Sequence, residues 1–240
     1  MKNSITKKNL LQDTFEKISK CLDPSSRDFF EVVIHVVLAI NKKTDEIMGG
    51  IVFEFYNLSS FGLISYICVD PKYRQYKIGR NLIELAEDQL NNRSLQNSGK
   101  SCEAILLEIS SPMRLKDEEK DHSFSVEQKI SVFRKIGCDL VEIDYIQPPL
   151  DNSFLPDDSL LLICINKEKK THLDGNKLAD FFFEFWETSC EDSSPFKEYL
   201  LRSISDSKEK RWIPLSPLNL ENIKQLESHR KKQITFKSNL

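Results

Sequence analysis

The chain has 240 residues, 40% of them hydrophobic and 30% charged, enough apolar material for a sizeable core in one large domain or in one domain with an appendage. Thirty-four basic residues against thirty-seven acidic ones leave a formal charge of -3, so no global field recruits nucleic acid or an anionic membrane. The opening MKNSITKKNLLQDTFEKISK lacks the apolar run of a secretory signal, and no later stretch supplies the roughly twenty apolar residues of a membrane span, which points to a cytoplasmic location and no membrane partner.

In chain order, Leu11, Phe15, Ile18 and Leu22 recur at helical spacing and predict a short amphipathic helix that Asp23-Pro24-Ser25-Ser26 stops. The runs FFEVVIHVVLAI, EIMGGIVFEFY and LISYICV follow, separated by turns at 41–45 and 57–60, and read as an antiparallel meander. After Asp70 the period changes: Ile78, Leu82, Leu85, Ala86 and Leu90 predict a helix, and AILLEIS after it is almost uninterrupted in hydrophobicity. Such a strand is covered on both faces, as when it lies parallel to a neighbour, so residues 62–109 form a βαβ unit.

Residues 111–125 are too charged for a core, and EQKISVFRKIG reads as a helix with Gly137 as its C-cap. CDLVEIDYI and SLLLICIN are two further strands, joined by the proline-bearing surface connector QPPLDNSFLPDD. Beyond Lys170, KLADFFFEFWET, SPFKEYLLRSI and LENIKQLESHRKK are helical, and the basic HRKKQITFK reads as a solvated tail. The aromatic stretch reads as a helix packed on the sheet, with a lid or a homodimer surface as the alternatives.

The six cysteines, Cys21, Cys68, Cys102, Cys138, Cys164 and Cys190, contain no CxxC pair and several sit in apolar runs, so reduced core thiols are expected. His35, His122, His172 and His229 are far apart and lack partners at ligand spacing, so no metal is expected.

Chemistry concentrates in ISYICVDPKYRQYKIGRNLIELAEDQL, where a strand ends at Val69, a turn carries Arg74 and Gly79, and a helix begins at once. The unpaired amides of a helix's first turn and the positive end of its dipole hold anions. Gly79 permits close backbone approach, and Arg74, Lys77 and Arg80 put three cations at the same mouth, an arrangement suited to a polyanionic cofactor.

Val69-Asp70-Pro71-Lys72-Tyr73-Arg74 and the glycine-bearing turn after it resemble the central motif of the GNAT (GCN5-related N-acetyltransferase) superfamily. The resemblance spans about residues 10–166 and implies an α/β (α+β) GNAT fold: a mixed central sheet with an antiparallel N-terminal meander, a βαβ cofactor unit, and a helical C-terminal extension over 167–240 without a family counterpart. It implies acetyl-CoA as cosubstrate, with Ile67, Cys68 and Val69 pairing with the pantetheine arm and Arg74, Gln75, Tyr76, Lys77, Ile78, Gly79 and Arg80 around the pyrophosphate. Four positions depart from the family pattern. Gln75 and Tyr76 replace residues that are commonly glycine and basic. Lys77 replaces the first turn glycine and requires an unstrained backbone there, and Phe133 stands where many members carry an acidic tyrosine.

Acyl transfer needs a base for the amine and a proton for the departing thiolate. Leu107-Glu108-Ile109 resembles the segment that carries the base in protein N-terminal acetyltransferases of the superfamily, which makes Glu108 the candidate base; the alternative is an ordinary strand-end carboxylate. Tyr145 is the candidate acid, with Cys138 and Tyr66 as further candidates, unless the thiolate collects its proton from water. Glu54, Glu108, Glu142 and Asp144 suit a cationic amine. The sequence thus points to an N-acetyltransferase acting on a primary amine of a small molecule or peptide, with a non-catalytic acyl-CoA-binding sensor or scaffold as the alternative. A Walker pair and a GxGxxG run, the marks of common nucleotide sites, are both missing.

Overall fold

A computed structural model describes residues 32–114, 125–148, 156–189 and 197–230. The helix expected at 11–22, most of the charged stretch after residue 110 and much of the proline-bearing connector lie outside the described residues. The described elements are β1 (Val33–Ile40), β2 (Ile47–Tyr56), β3 (Phe61–Val69), a 3-10 turn (Pro71–Tyr76), α1 (Ile78–Ser98), β4 (Ala104–Ser110), α2 (Val126–Ile136), β5 (Cys138–Val141), β6 (Leu160–Ile165), β7 (His172–Asp174), α3 (Gly175–Ser189), α4 (Lys197–Lys210), β8 (Trp212–Pro217) and α5 (Leu220–His229).

The strands form one mixed sheet in the order β1-β2-β3-β4-β6-β5-β8-β7. β3 and β4 are parallel because α1 crosses between them, and every other pairing is antiparallel. The βαβ unit and the N-terminal meander are therefore as the sequence implies. α1 ends on Gly99 at φ 71 and α2 on Gly137 at φ 98, both in the left-handed region that glycine enters at no steric cost.

β4 shows why its sequence lacks alternation. Ile105, Leu107 and Ile109 pack with Leu82, Ile83, Ala86 and Leu90 of α1, whereas Ala104 and Leu106 pack with Phe181, Phe182 and Trp186 of α3. Both faces are covered, so both register positions are apolar. Most aromatic residues of α3 are core: Phe181, Phe182 and Trp186 are buried against Tyr56, Phe61 and Tyr145.

Two expectations change. The part of the chain after residue 166 is not only helical, since it also supplies β7 and β8, which extend the same sheet from β5. β5 stops at Val141 rather than running to Ile146, because the backbone then folds into tight bends in which Ile143 N–H bonds Val141 O and Tyr145 N–H bonds Ile143 O. No described helix is long and apolar enough to cross a membrane.

Candidate active site

The site begins with a divergence of two strands. β3 and β4 are paired only from Phe61–Ala104 to Ile64–Leu107, and beyond that point β3 continues alone on its β4 side. The divergence coincides with a bulge: Val52 pairs with Tyr66 and Phe53 with Ile64, leaving Ser65 without a partner in β2. Ile67, Cys68 and Val69 pair with Ile51, Gly50 and Gly49 of β2 on one side. Their other edge faces the opening, where the backbone groups of an extended ligand can complete the pairing.

The 3-10 turn joins this edge to α1. Asp70 caps the turn by accepting from Lys72 N–H at 2.9 Å, and Asp70 N–H bonds Met48 O at 3.0 Å. Glu46 holds the turn from outside through Tyr73 Oη and, at 3.3 Å, Lys72 Nζ. The N-cap of α1 is Lys77, at φ 59 and ψ 19, with no side-chain cap bond. Lys77 is thus in the left-handed conformation expected of the glycine it replaces, and the unstrained backbone inferred from its side chain is not what the structure shows. The chain reverses here in one residue, and the reversal overrides the local preference.

Asn81 N–H bonds Lys77 O at 3.0 Å, and the amides of Ile78, Gly79 and Arg80 before it belong to a first turn that has no intrahelical acceptors. A Cβ on Gly79 would lie 3.4 Å from Val69 Cγ2, at the junction of strand edge and helix start. A Cβ on Gly49 would lie 2.6 Å from the Cys68 carbonyl oxygen, so glycine is required for β2 to lie this close to the diverging edge. Uncapped amides, an open backbone edge and a glycine where they meet fit a diphosphate joined to an extended amide chain.

The individual side chains divide. Arg74, Tyr76 and Lys77 are exposed at the turn, and Ile78 packs into the core beneath it. Arg80 is exposed and pairs with Glu84 at 2.8 Å, while Gln75 bonds back to Lys72 O at 3.1 Å.

Across the opening lies a polar cluster on the α3 face of the sheet. Glu108 follows Ala104 and Leu106 on that face of β4. Its carboxylate accepts from Tyr145 Oη and from Gln147 Nε2 at 2.8 Å. Burial pushes its pKa up to about 7; the bonds from Tyr145 and Gln147 pull it down, and the charges of Glu54 and Asp157 add to the rise. Glu54 accepts from Ser65 Oγ at 2.8 Å and from Tyr56 Oη, and Tyr56 is wholly buried. Burial and the nearby carboxylates raise the phenols of Tyr56 and Tyr145 well above the ordinary tyrosine range, so both are neutral donors.

The structure therefore brings Glu108 and Tyr145 into direct contact, although Tyr145 lies beyond the end of β5. Asp144, expected among the cleft carboxylates, is instead paired with Arg202 and Arg230. Phe133 is a half-buried core contact of α2. Gln147 is legible in sequence only as the first residue of a connector, since nothing in its neighbours signals a bond to a carboxylate 39 positions earlier. Burial raises the thiols of Cys102 and Cys164 to about 12, so both are inert. Among the described residues no group of three or more His, Cys, Asp or Glu side chains could hold a metal.

Residues 8–102 match the sequence model of the Acetyltransferase (GNAT) family. No curated protein matches the chain. Among solved structures, nourseothricin acetyltransferase is 17% identical with a TM-score of 0.37, over 55% of this chain and 64% of that one, so the chain spans under two thirds of its length. An acetyltransferase from Bacillus cereus ATCC 14579 is 18% identical with a TM-score of 0.28, over 52% of this chain and 81% of that one. Tetrahymena GCN5 is 17% identical with a TM-score of 0.33, over 68% of this chain and 92% of that one.

Proposed function

We propose that the chain, whose residues 8–102 match the sequence model of the Acetyltransferase (GNAT) family, moves an acetyl group from acetyl-CoA directly to a primary amine of a small molecule or peptide, with Glu108 as the base. The observation that carries this reading is a buried carboxylate, titrating at about 7 and held by Tyr145 and Gln147, on the strand that diverges from the open edge at Ile67–Val69.

When bound, acetyl-CoA supplies a thioester carbonyl open to attack. Ile67, Cys68 and Val69 pair with its amide arm, and the turn from Arg74 to Arg80, through Gln75, Tyr76, Lys77, Ile78 and Gly79, surrounds its diphosphate. The first-turn amides and the dipole of α1 add roughly 0.3–1 kcal/mol for each phosphate charge they meet. Glu54 and Glu108 together attract a cationic amine.

Of the two protons a cationic amine must lose, one leaves to solvent and Glu108 takes the other from the attacking nitrogen, directly or through one water; a base titrating near neutrality is suited to that step at physiological pH. The amine nitrogen bonds to the carbonyl carbon, the carbon–sulfur bond breaks, and the electron pair stays on sulfur. Tyr145 passes its phenol proton to the thiolate as Glu108 returns the proton it gained, so both residues end as they began. The relay is concerted, since the raised pKa of Tyr145 keeps free tyrosinate from accumulating.

The test is thiol release from acetyl-CoA in the presence of a panel of primary amines and peptide N-termini. Release that requires an amine, and that falls by about 10²–10⁴ in Glu108→Gln, is the expected result. Calorimetric binding of CoA without turnover on any amine would overturn the transfer, and no binding at all would overturn the site.

A further inference from the structure

In sequence Arg230 belongs to a basic run that reads as a solvated tail, yet its side chain is 1% exposed. Its guanidinium bonds Asp144 Oδ1 through Nε at 3.1 Å, and Leu160 O and Glu227 Oε1 through Nη1, each at 3.1 Å. Nη2 bonds Asp158 O at 3.1 Å and also Tyr145 O. Arg114 closes the cluster, with Asp158 at 2.6 Å and Glu227 at 2.7 Å, and Arg202 pairs with the far side of Asp144. A buried guanidinium with this many fixed acceptors has one geometry, because its fork is planar and its alternatives leave a charge unpaired.

What that geometry holds is the segment without a strand ladder. After Val141 the backbone bends through Ile143 and Tyr145, and the next pairing is the bridge between Gln147 and Asp157. Arg230 ties one side of this bridge, at Tyr145 O, to the other, at Asp158 O and Leu160 O. Tyr145 and Gln147, the two donors that grip Glu108, are therefore carried on backbone whose position depends on a residue at the end of α5. We propose that Arg230 is a positioning residue for Glu108, acting through Tyr145 and Gln147, so that the described residue farthest in sequence from the Pro71–Tyr76 turn completes the reacting centre. The kinetic consequence rests on Glu108 being the base, whereas the positioning itself does not.

Two arms test it. In the first, glutamate labelled with carbon-13 at the carboxyl carbon is followed by NMR as pH varies, with Glu108→Gln used to identify the Glu108 signal. Arg230→Met keeps an apolar stem and removes the fork; its loss frees the two donors that lower the Glu108 titration, and the midpoint moves above the native value of about 7. An unchanged or lowered midpoint in folded Arg230→Met protein overturns the proposal. Arg230→Lys decides the matter in the same way if the methionine variant does not fold, since one ammonium cannot reach three carbonyls and a smaller upward shift is expected.

In the second arm, Arg230→Lys lowers kcat for the best amine of the panel on the order of ten- to a hundredfold, with the KM for acetyl-CoA held within about twofold, as misplacement of a reacting group by an ångström does. A rise in the KM for acetyl-CoA with kcat preserved counts against positioning. If Glu108→Gln turns over like the native protein, the base assignment fails, and the titration arm still decides the role of Arg230.

Discussion

The phenol of Tyr145 donates to one oxygen of Glu108, and the amide of Gln147 donates to the other at 2.8 Å. The two donors stabilise the carboxylate form that burial disfavours, and the balance leaves it titrating at about 7. A carboxylate this poised changes charge within the physiological range.

With Glu108 as the proposed base, activity should fall as pH drops through about 7, because a base must be ionised to accept a proton. Tyr145→Phe removes a bond that lowers the Glu108 titration, so its acid limb should move to higher pH and its turnover at neutrality should drop. A kcat/KM profile against pH checks both, and a limb that stays in place in the variant would separate Tyr145 from the control of Glu108.

The same balance costs stability. The folded-state value of Glu108 lies above its ordinary value of 4.5, so the stability its protonation contributes is complete below 4.5 and is lost as pH rises through about 7. The penalty at alkaline pH is on the order of 3 kcal/mol. Glu108→Gln, neutral at every pH, should melt higher than the native protein at about pH 8 and lose that advantage toward about pH 4. Thermal unfolding across this range checks the sign.

Lys77 occupies a left-handed conformation at φ 59 that costs an ordinary residue about 1 kcal/mol. Lys77→Gly should therefore raise stability by roughly 0.5–1 kcal/mol, while loss of the cation at the helix start weakens CoA binding by roughly 0.3–1 kcal/mol, more so at low salt. Denaturation and calorimetry on the same sample would show the two effects with opposite signs.

Gly49 and Gly79 predict contrasting phenotypes. A Cβ on Gly79 meets only Val69 Cγ2 at 3.4 Å, so Gly79→Ala should fold normally and lose CoA affinity by about tenfold, because the methyl would stand in the proposed approach of the diphosphate. A Cβ on Gly49 meets the Cys68 carbonyl oxygen at 2.6 Å, so Gly49→Ala should destabilise the protein by roughly 1–3 kcal/mol by pushing β3 away from β2. Equal melting points for the two variants would contradict this assignment of roles.

The elements legible in sequence are those whose signals are local. Alternation and turn residues mark β1 to β3, helical period marks α1, and a double-sided apolar run marks β4. β8 is hidden by its prolines, Pro214 and Pro217, which argue against an interior strand. It tolerates them because β7 pairs with Trp212–Pro214 and β5 with Leu215–Pro217, so each half of β8 has one partner and behaves as an edge. Glu108 is legible from its strand position and its resemblance to a known base. Arg230 is not, because its partner Asp144 lies 86 positions away and charge pairing over that distance leaves no pattern in the sequence.

That separation also orders the birth of the molecule. Arg230 follows Tyr145 by 85 positions, so on a ribosome adding about 5–20 residues per second the bend that carries the phenol is made roughly 4–17 seconds before the guanidinium that fixes it. The turn at Pro71–Tyr76 and α1 emerge earlier still. Among the described residues, the turn at Pro71–Tyr76 is thus made well before the brace behind Glu108, which waits for the end of α5.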